Sequence, residues 1–246
     1  MESILLPSKI RYERGDRPNE GVFTVEPCSP GYGTTLGNAL RRVLLSSLPG
    51  AAITAVKIKG VDHEFSTIES VKEDVVEIIL NLKAIRIKLH AEEPVKLFLK
   101  ASGEKDVTAA DFEKDAQVEI MNAEQHICTL TDKKASLDME VTVSPGRGYR
   151  TTEERAKEKL ELGNIAIDAL YSPVLNVSYK VELTRVGEKT DFDKLVLRVE
   201  TDGTVDPKDA VDQSVKILLD HFNLLVVVDE GGEGTEEQAE EGITDV

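Results

Sequence analysis

Hydrophobic positions along the chain recur at two periods. Alternation, expected of a strand with one buried face, marks residues 55–58, 85–89, 95–99 and 117–120. It is cleanest over 137–143, where Leu137, Met139, Val141 and Val143 alternate with Asp138, Glu140 and Thr142. Residues 21–26 form a further β-rich run, closed by Pro27. The helical period predicts a first helix over about 34–47, capped by Thr34 or Thr35 and stopped by Pro49 and Gly50. Leu36, Leu40, Val43, Leu44 and Leu48 form its apolar stripe, while Arg41, Arg42 and Leu45 fall off it. A second helix, over about 71–82, opens on Ser70 with Glu73 three residues on, a capping-box pattern. Val75, Val76, Ile78, Ile79, Leu80 and Leu82 make it apolar round most of its circumference, which predicts burial. Residues 144–149 read as a loop leading into a charged segment to about 162, and 177–183 with 194–200 as a hairpin. The last helix has Asp206 as N-cap and Pro207 at its first position.

Along that last helix Val211, Val215, Leu218, Phe222 and Leu225 follow at heptad-like steps, widened by Leu219 and Val226. Five such side chains represent a gross gain on the order of 10 kcal/mol when buried, so the seam needs a partner surface. A surface of the same chain and a second copy of the chain both fit. Length allows one large domain or two medium ones. Charge is uneven. The chain carries 30 Lys and Arg against 46 Asp and Glu, and eight of the acids lie in the last eighteen residues, 229–246, which hold no base. That tail has a disordered composition. The remainder, at −8, has no general attraction for phosphate backbones, and aromatics are only 4% with no Trp; direct nucleic-acid binding is not expected. No run reaches the roughly 18–20 apolar residues of a membrane span, and residues 1–14 lack the layout of a signal peptide. Cys28 and Cys128 stand far apart without C-x-x-C spacing, as in a cytosolic protein with reduced thiols.

Candidate chemistry is sparse. Gly31, Gly33 and Gly37 follow a strand and open a helix, but the last spacing is one residue too long for a dinucleotide fingerprint and no βαβ repeat follows. Asp191 and Asp193 would share one face of an extended chain, as magnesium ligands do, yet no third ligand is indicated and they fall where a hairpin turn belongs. His63, His90, His126 and His221 lack the spacing of a zinc site, and Ser46 and Ser47 end a helix. No nucleophile, base and oxyanion donor assemble, so no catalytic site and no cofactor or metal are expected in this chain. Arg41, Arg42 and Leu45 remain, as either a docking surface or a solvated face.

The string EPCSPGYGTTLGNALRRVLLSS over 26–47 strongly resembles the N-terminal domain of the α subunit of bacterial DNA-directed RNA polymerase. HEFST (63–67), EDVVEIILNLK (73–83), GRGY (146–149), IDALYSPV (167–174), TDFDKL (190–195) and TDGTVDP (201–207) agree in the same order. The resemblance implies an α+β fold in two parts. Residues 1–50 with 172–228 would form a dimerisation subdomain of a sheet and two helices; 51–171 would be an inserted β-rich subdomain contacting the large subunits. It implies a homodimeric, non-catalytic scaffold that binds β first and then β′ within a nucleotidyltransferase complex that omega and sigma complete. The catalytic magnesium would belong to β′. By matching motif, Arg42, Leu45 and Glu77 would face β, and Lys83, Ile167, Val174 and Lys194 would face β′. Leu36, Leu40, Val43, Leu44, Val211, Val215, Leu218, Phe222 and Leu225 would form the dimer contact. Asp191 and Asp193 become structural. Residues 229–246 would begin a linker, with no C-terminal DNA-binding domain in the chain. The expected place is the bacterial cytoplasm, with the nucleoid, rather than a plastid. A free-standing dimeric module of the same fold is the alternative.

Overall fold

The computed structural model describes residues 4–155 and 163–226. Four antiparallel strands run in the order β1 (Lys9–Arg14), β2 (Glu20–Cys28), β14 (Lys189–Thr201), β13 (Val174–Val186). Phe23 pairs with Leu197, and Leu197 with Tyr179. Because side chains alternate across a strand, one face thus gathers Phe23, Val177, Tyr179, Leu195, Leu197 and Val199. The other face is charged, with ion pairs from Glu182 to Lys180 (2.9 Å) and Lys194 (3.4 Å), and from Glu20 to Arg198 (3.7 Å). Helices α1 (Tyr32–Ser46) and α3 (Pro207–Leu224) pack on the apolar face and on each other. Leu44, Leu48, Val174, Ala210 and Val211 close this core with the strands.

Between the end of α1 and the start of β13 lies the second unit. Its main sheet has the order β11 (Ile165–Ala166), β3 (Pro49–Ile58), β9 (Ser136–Arg147), β5 (Val95–Ser102). Three short ladders surround it: β4 (Ile87–Leu89) with β7 (Val118–Ile120), β6 (Lys105–Thr108) with β8 (His126–Leu130), and β10 (Tyr149–Arg150) with β12 (Ala169–Leu170). Helix α2 (Val75–Lys83) lays Val75, Ile78 and Leu82 onto a core of Val56, Ile58, Leu97, Leu99, Met139 and Val141. The two cores share no residue. The fold is α+β.

Several boundaries differ from the sequence-based expectation, each for a local reason. Helix α2 starts at Val75, not near residue 71. Ser70 sits at φ 63°, outside helical space, and Asp74 makes the cap by accepting the Glu77 N–H at 2.7 Å. The hairpin is longer than expected: β13 and β14 meet at Gly187, φ 61°, so Asp191 and Asp193 lie within a strand and not in the turn. Residues 144–147 continue β9, paired with 49–52, where a loop was expected; Gly148, at φ 66°, ends that strand. Strand β1, edge of its sheet, and the short β6 and β8 carry little alternation. The charged segment over 156–162 and the acidic tail lie outside the described residues.

Both cysteines are buried and free. Burial pushes the Cys128 thiol up to about 12, with help from the Glu73 and Asp111 carboxylates. Burial and then Asp193 raise that of Cys28. Since the thiolate is the reactive species, neither should react with a thiol reagent in the native protein at pH 8, and both should react on unfolding. Rapid native labelling would contradict this packing.

Candidate functional site

A helix leaves its first N–H groups without intrahelical partners. Gly31, which caps α1 at φ 85°, has no side chain to meet them. The partner comes from a strand 160 residues away. Asp193, only 7% exposed, places Oδ2 to accept the Gly33 N–H at 3.0 Å and the Gly31 N–H at 2.9 Å. The amides that a bound phosphate would need are thereby occupied, and the two acids are separated in role, Asp191 being exposed. Below the cap, a Cβ on Gly37 would stand 2.6 Å from the Tyr179 ring, and one on Gly33 3.0 Å from Val181 and Asp193. The sheet-facing line of α1 is therefore Gly33, Gly37, Leu40 and Leu44, two of whose members carry no hydrophobic signal. Leu36 is turned outward, Val43 and Leu40 are half-buried, and Leu44 is fully buried in its own subunit. Leu44 thus stabilises the subunit core and offers no surface to a partner, contrary to the dimer assignment.

Arg41, Arg42 and Leu45 stand exposed, off the sheet-facing line of α1. Among the described residues neither arginine has an ion-pair partner, although the chain carries a net charge of −16. Two unpaired guanidinium groups beside an exposed Leu are suited to a partner's carboxylates and apolar surface.

The seam of α3 resolves into two stripes. Pro207, Ala210, Val211 and Ser214 are buried against the chain's own sheet, with Ile217 and Leu218 half-buried below them. Val215, Leu219, Phe222 and Val226, spaced by four, three and four residues, form a second line left uncovered; Leu219 is 52% and Phe222 56% exposed, and Leu225 also lies open. Heptad spacing steps between the two lines, so it picked Val211, buried like Leu44, and missed Leu219 as a principal member. A contiguous exposed apolar row of this kind marks an interaction surface.

On α2, Glu77 is exposed and Leu80, expected to be buried, is 60% exposed. Glu73 turns the other way. Its carboxylate accepts the Thr129 N–H at 2.7 Å and the Thr129 hydroxyl at 3.1 Å, and lies 3.1 Å from His126 Nε2. Burial raises its pKa, but these hydrogen bonds outweigh it and hold it below the ordinary value. Glu73 thus ties the entry of α2 to β8 and does not box the helix start.

Lys83 ends α2 with its ammonium 3.6 Å from Asp168, whose carboxylate also accepts the Thr152 N–H at 2.9 Å. That backbone bond first, then Lys83 and Tyr149, hold Asp168 below its ordinary range against a smaller effect of burial. Lys194 lies on the charged face of the first sheet, paired with Glu182. Ile167, 1% exposed, sits in the core of the second unit and Val174, 5% exposed, in that of the first. Both apolar side chains are used internally, so neither is a surface contact as assigned from the motif. Tyr149 and Leu170, cross-strand partners in β10 and β12, are exposed beside this cluster and were not read from sequence.

Among the described residues no three His, Cys, Asp or Glu side chains group as metal ligands, and no helix is long and apolar enough to cross a membrane. The family described as the RNA polymerase Rpb3/RpoA insert domain matches residues 56–172, the stretch that forms the second unit. Over most of the chain, a DNA-directed RNA polymerase subunit alpha of Alkaliphilus oremlandii is 52% identical over 208 residues, which are 85% of this chain and 65% of that protein. The subunit alpha of Roseiflexus sp. (strain RS-1) is 52% identical, covering 84% of this chain and 64% of its own length. That of Symbiobacterium thermophilum is 50% identical over 216 residues, 88% of this chain and 68% of its own. The chain thus spans about two thirds of the length of these relatives, slightly less for the first two. A helix-bearing sheet interrupted by an insert domain, joined to identity of this extent, makes the chain a member of the DNA-directed RNA polymerase alpha-subunit family.

Proposed function

We propose that the chain is a non-catalytic assembly scaffold of a bacterial RNA polymerase. It pairs with a second copy through α1 and α3, and the dimer takes up β and then β′, joined by omega and sigma in the complete enzyme. Nucleotidyl transfer, with its magnesium, is assigned to β′. The observation that carries this reading is the pair of helices on one sheet face: their inner lines are buried, while their outer lines, Leu36 with Val215, Leu219 and Phe222, stay apolar and uncovered. Arg42 and Leu45 on α1 and Glu77 on α2 are exposed as well, a set suited to β. Lys83 and Lys194 remain the cations assigned to β′, with Tyr149 and Leu170 as apolar neighbours in place of Ile167 and Val174.

The test is light-scattering mass on a sizing column, with this chain mixed with the β subunit of its own organism. Two copies of the chain with one β is the expected result. A dimer that ignores β would favour a free-standing module of the same fold, and a monomer would remove the dimer as well. Arg42→Ala should weaken β binding by about 2 kcal/mol, close to thirtyfold, and leave the dimer intact. Titration calorimetry giving an unchanged affinity would remove Arg42 from the contact.

A further inference from the structure

The surface assigned to β is built from two units. Arg42 and Leu45 ride on α1, which belongs to one core, and Glu77 rides on α2, which belongs to the other. With no core residue in common, something else must hold the units at one angle. The chain passes between them twice, outward into β3 at Pro49 and back through Tyr171, Ser172 and Pro173 into β13. At this crossing Gly50 and Gly146 face each other as a directly paired step of β3 and β9. A Cβ on Gly50 would fall 1.8 Å from the Tyr171 carbonyl oxygen, and one on Gly146 2.6 Å from its ring. Neither glycine has a positive φ, so both are required by close approach and not by a turn. Tyr171 is 5% exposed and belongs to neither core. Its N–H donates to the Gly148 carbonyl at 2.8 Å. A second tie lies on the same seam: the Asp202 N–H donates to the Pro173 carbonyl at 2.9 Å, and Arg86, just past α2, donates to the Asp202 carbonyl at 3.1 Å.

We propose that Tyr171, seated on the flat Gly50–Gly146 step, is a positioning residue that locks the inserted unit to the helix-bearing sheet and so fixes Arg42, Leu45 and Glu77 as one surface for β. The inference rests on the scaffold reading above. Tyr171 is buried, and its effect is on the fraction of molecules in the binding-competent pose. When that fraction falls to about a tenth, apparent affinity falls about tenfold.

The test uses spin labels on Arg198→Cys, on the charged face of the first sheet, and Lys133→Cys in the second unit, both exposed positions. The native cysteines are buried. The distance distribution between the labels should be narrow in the parent chain. Gly146→Ala, which pushes on the Tyr171 ring, should broaden or shift it and weaken β binding about tenfold or more, with dimer mass unchanged. Adding Tyr171→Ala to Gly146→Ala removes the clash but also the seated ring, so the distribution should stay broad. If Gly146→Ala does not fold, Tyr171→Leu alone carries the test, since it removes the seated ring and keeps an apolar side chain at this buried position. An unchanged distribution in the folded variants would overturn the lock; a broadened one with unchanged β affinity would overturn its role in docking. Failure of the parent chain to bind β would overturn the scaffold reading and the docking role with it, while the distances still decide the lock.

Discussion

Asp193→Ala should destabilise the protein by about 3 kcal/mol. The carboxylate is buried and meets two amides at the start of α1, and truncation leaves the buried Gly33 N–H without a partner and the Gly31 N–H to whatever water reaches it. An unsatisfied buried donor costs about 1–3 kcal/mol, and loss of an ordinary N-cap about 0.5–2 kcal/mol. Gly31 offers no side chain in compensation. The negative charge also faces the positive end of the helix dipole. Asp193→Asn keeps the shape and an acceptor oxygen but loses the charge, and charge-assisted bonds are roughly twice as strong as neutral ones; it should therefore cost about half as much. Urea denaturation of the three proteins provides the comparison. An alanine variant as stable as the parent would show that solvent caps α1 and that Asp193 is dispensable.

The double substitution Leu219→Asp with Phe222→Asp should raise the dimer dissociation constant more than about a thousandfold. Each side chain loses about 1.5–3 kcal/mol of burial, and each new carboxylate must lose its water or keep the surfaces apart. A combined cost beyond about 4 kcal/mol corresponds to three decades in affinity. Both positions are more than half exposed in the chain's own fold, so the monomer should fold with an unchanged circular-dichroism spectrum. Sedimentation equilibrium gives the answer, and a variant that still sediments as a dimer places the contact elsewhere.

Much of the architecture was legible because it rests on local rules. The start of α3 followed from Asp206 and Pro207, and Asp206 does accept the Lys208 N–H at 2.9 Å. The cleanest alternation became β9, the strand at the centre of the inserted sheet. What was not legible depends on distant partners. Glu73 has the spacing of a capping box, but Thr129 and His126, more than fifty residues on, compete for its carboxylate and win. Asp193 reads as a turn residue until its amide partners arrive from the other end of the chain. The packing line of α1 runs through two glycines that no hydrophobicity pattern registers. Motif transfer had a related weakness at Ile167 and Val174: both are buried, while the side chain that the IDALYSPV string exposes is Leu170, with Tyr149 exposed as its cross-strand partner. Arg42, Leu45 and Glu77 come out exposed, as a docking role requires.

Because β2 pairs with β14, Phe23 meets Leu197 only across the whole inserted unit. During synthesis at about 5–20 residues per second, the amino-terminal strands and α1 leave the ribosome some ten to thirty seconds before the strand that completes their sheet. Through that interval the buried side of α1 has no sheet to cover it, and Gly31 and Gly33 have no carboxylate. The inserted unit faces no such delay, since β3, β5 and β9 are all made before residue 148. A nascent chain halted near residue 185 should therefore resist proteases over 51–147 while its first fifty residues are still cut. The order of birth runs opposite to the order of support, and the inserted unit is finished before the platform that carries it.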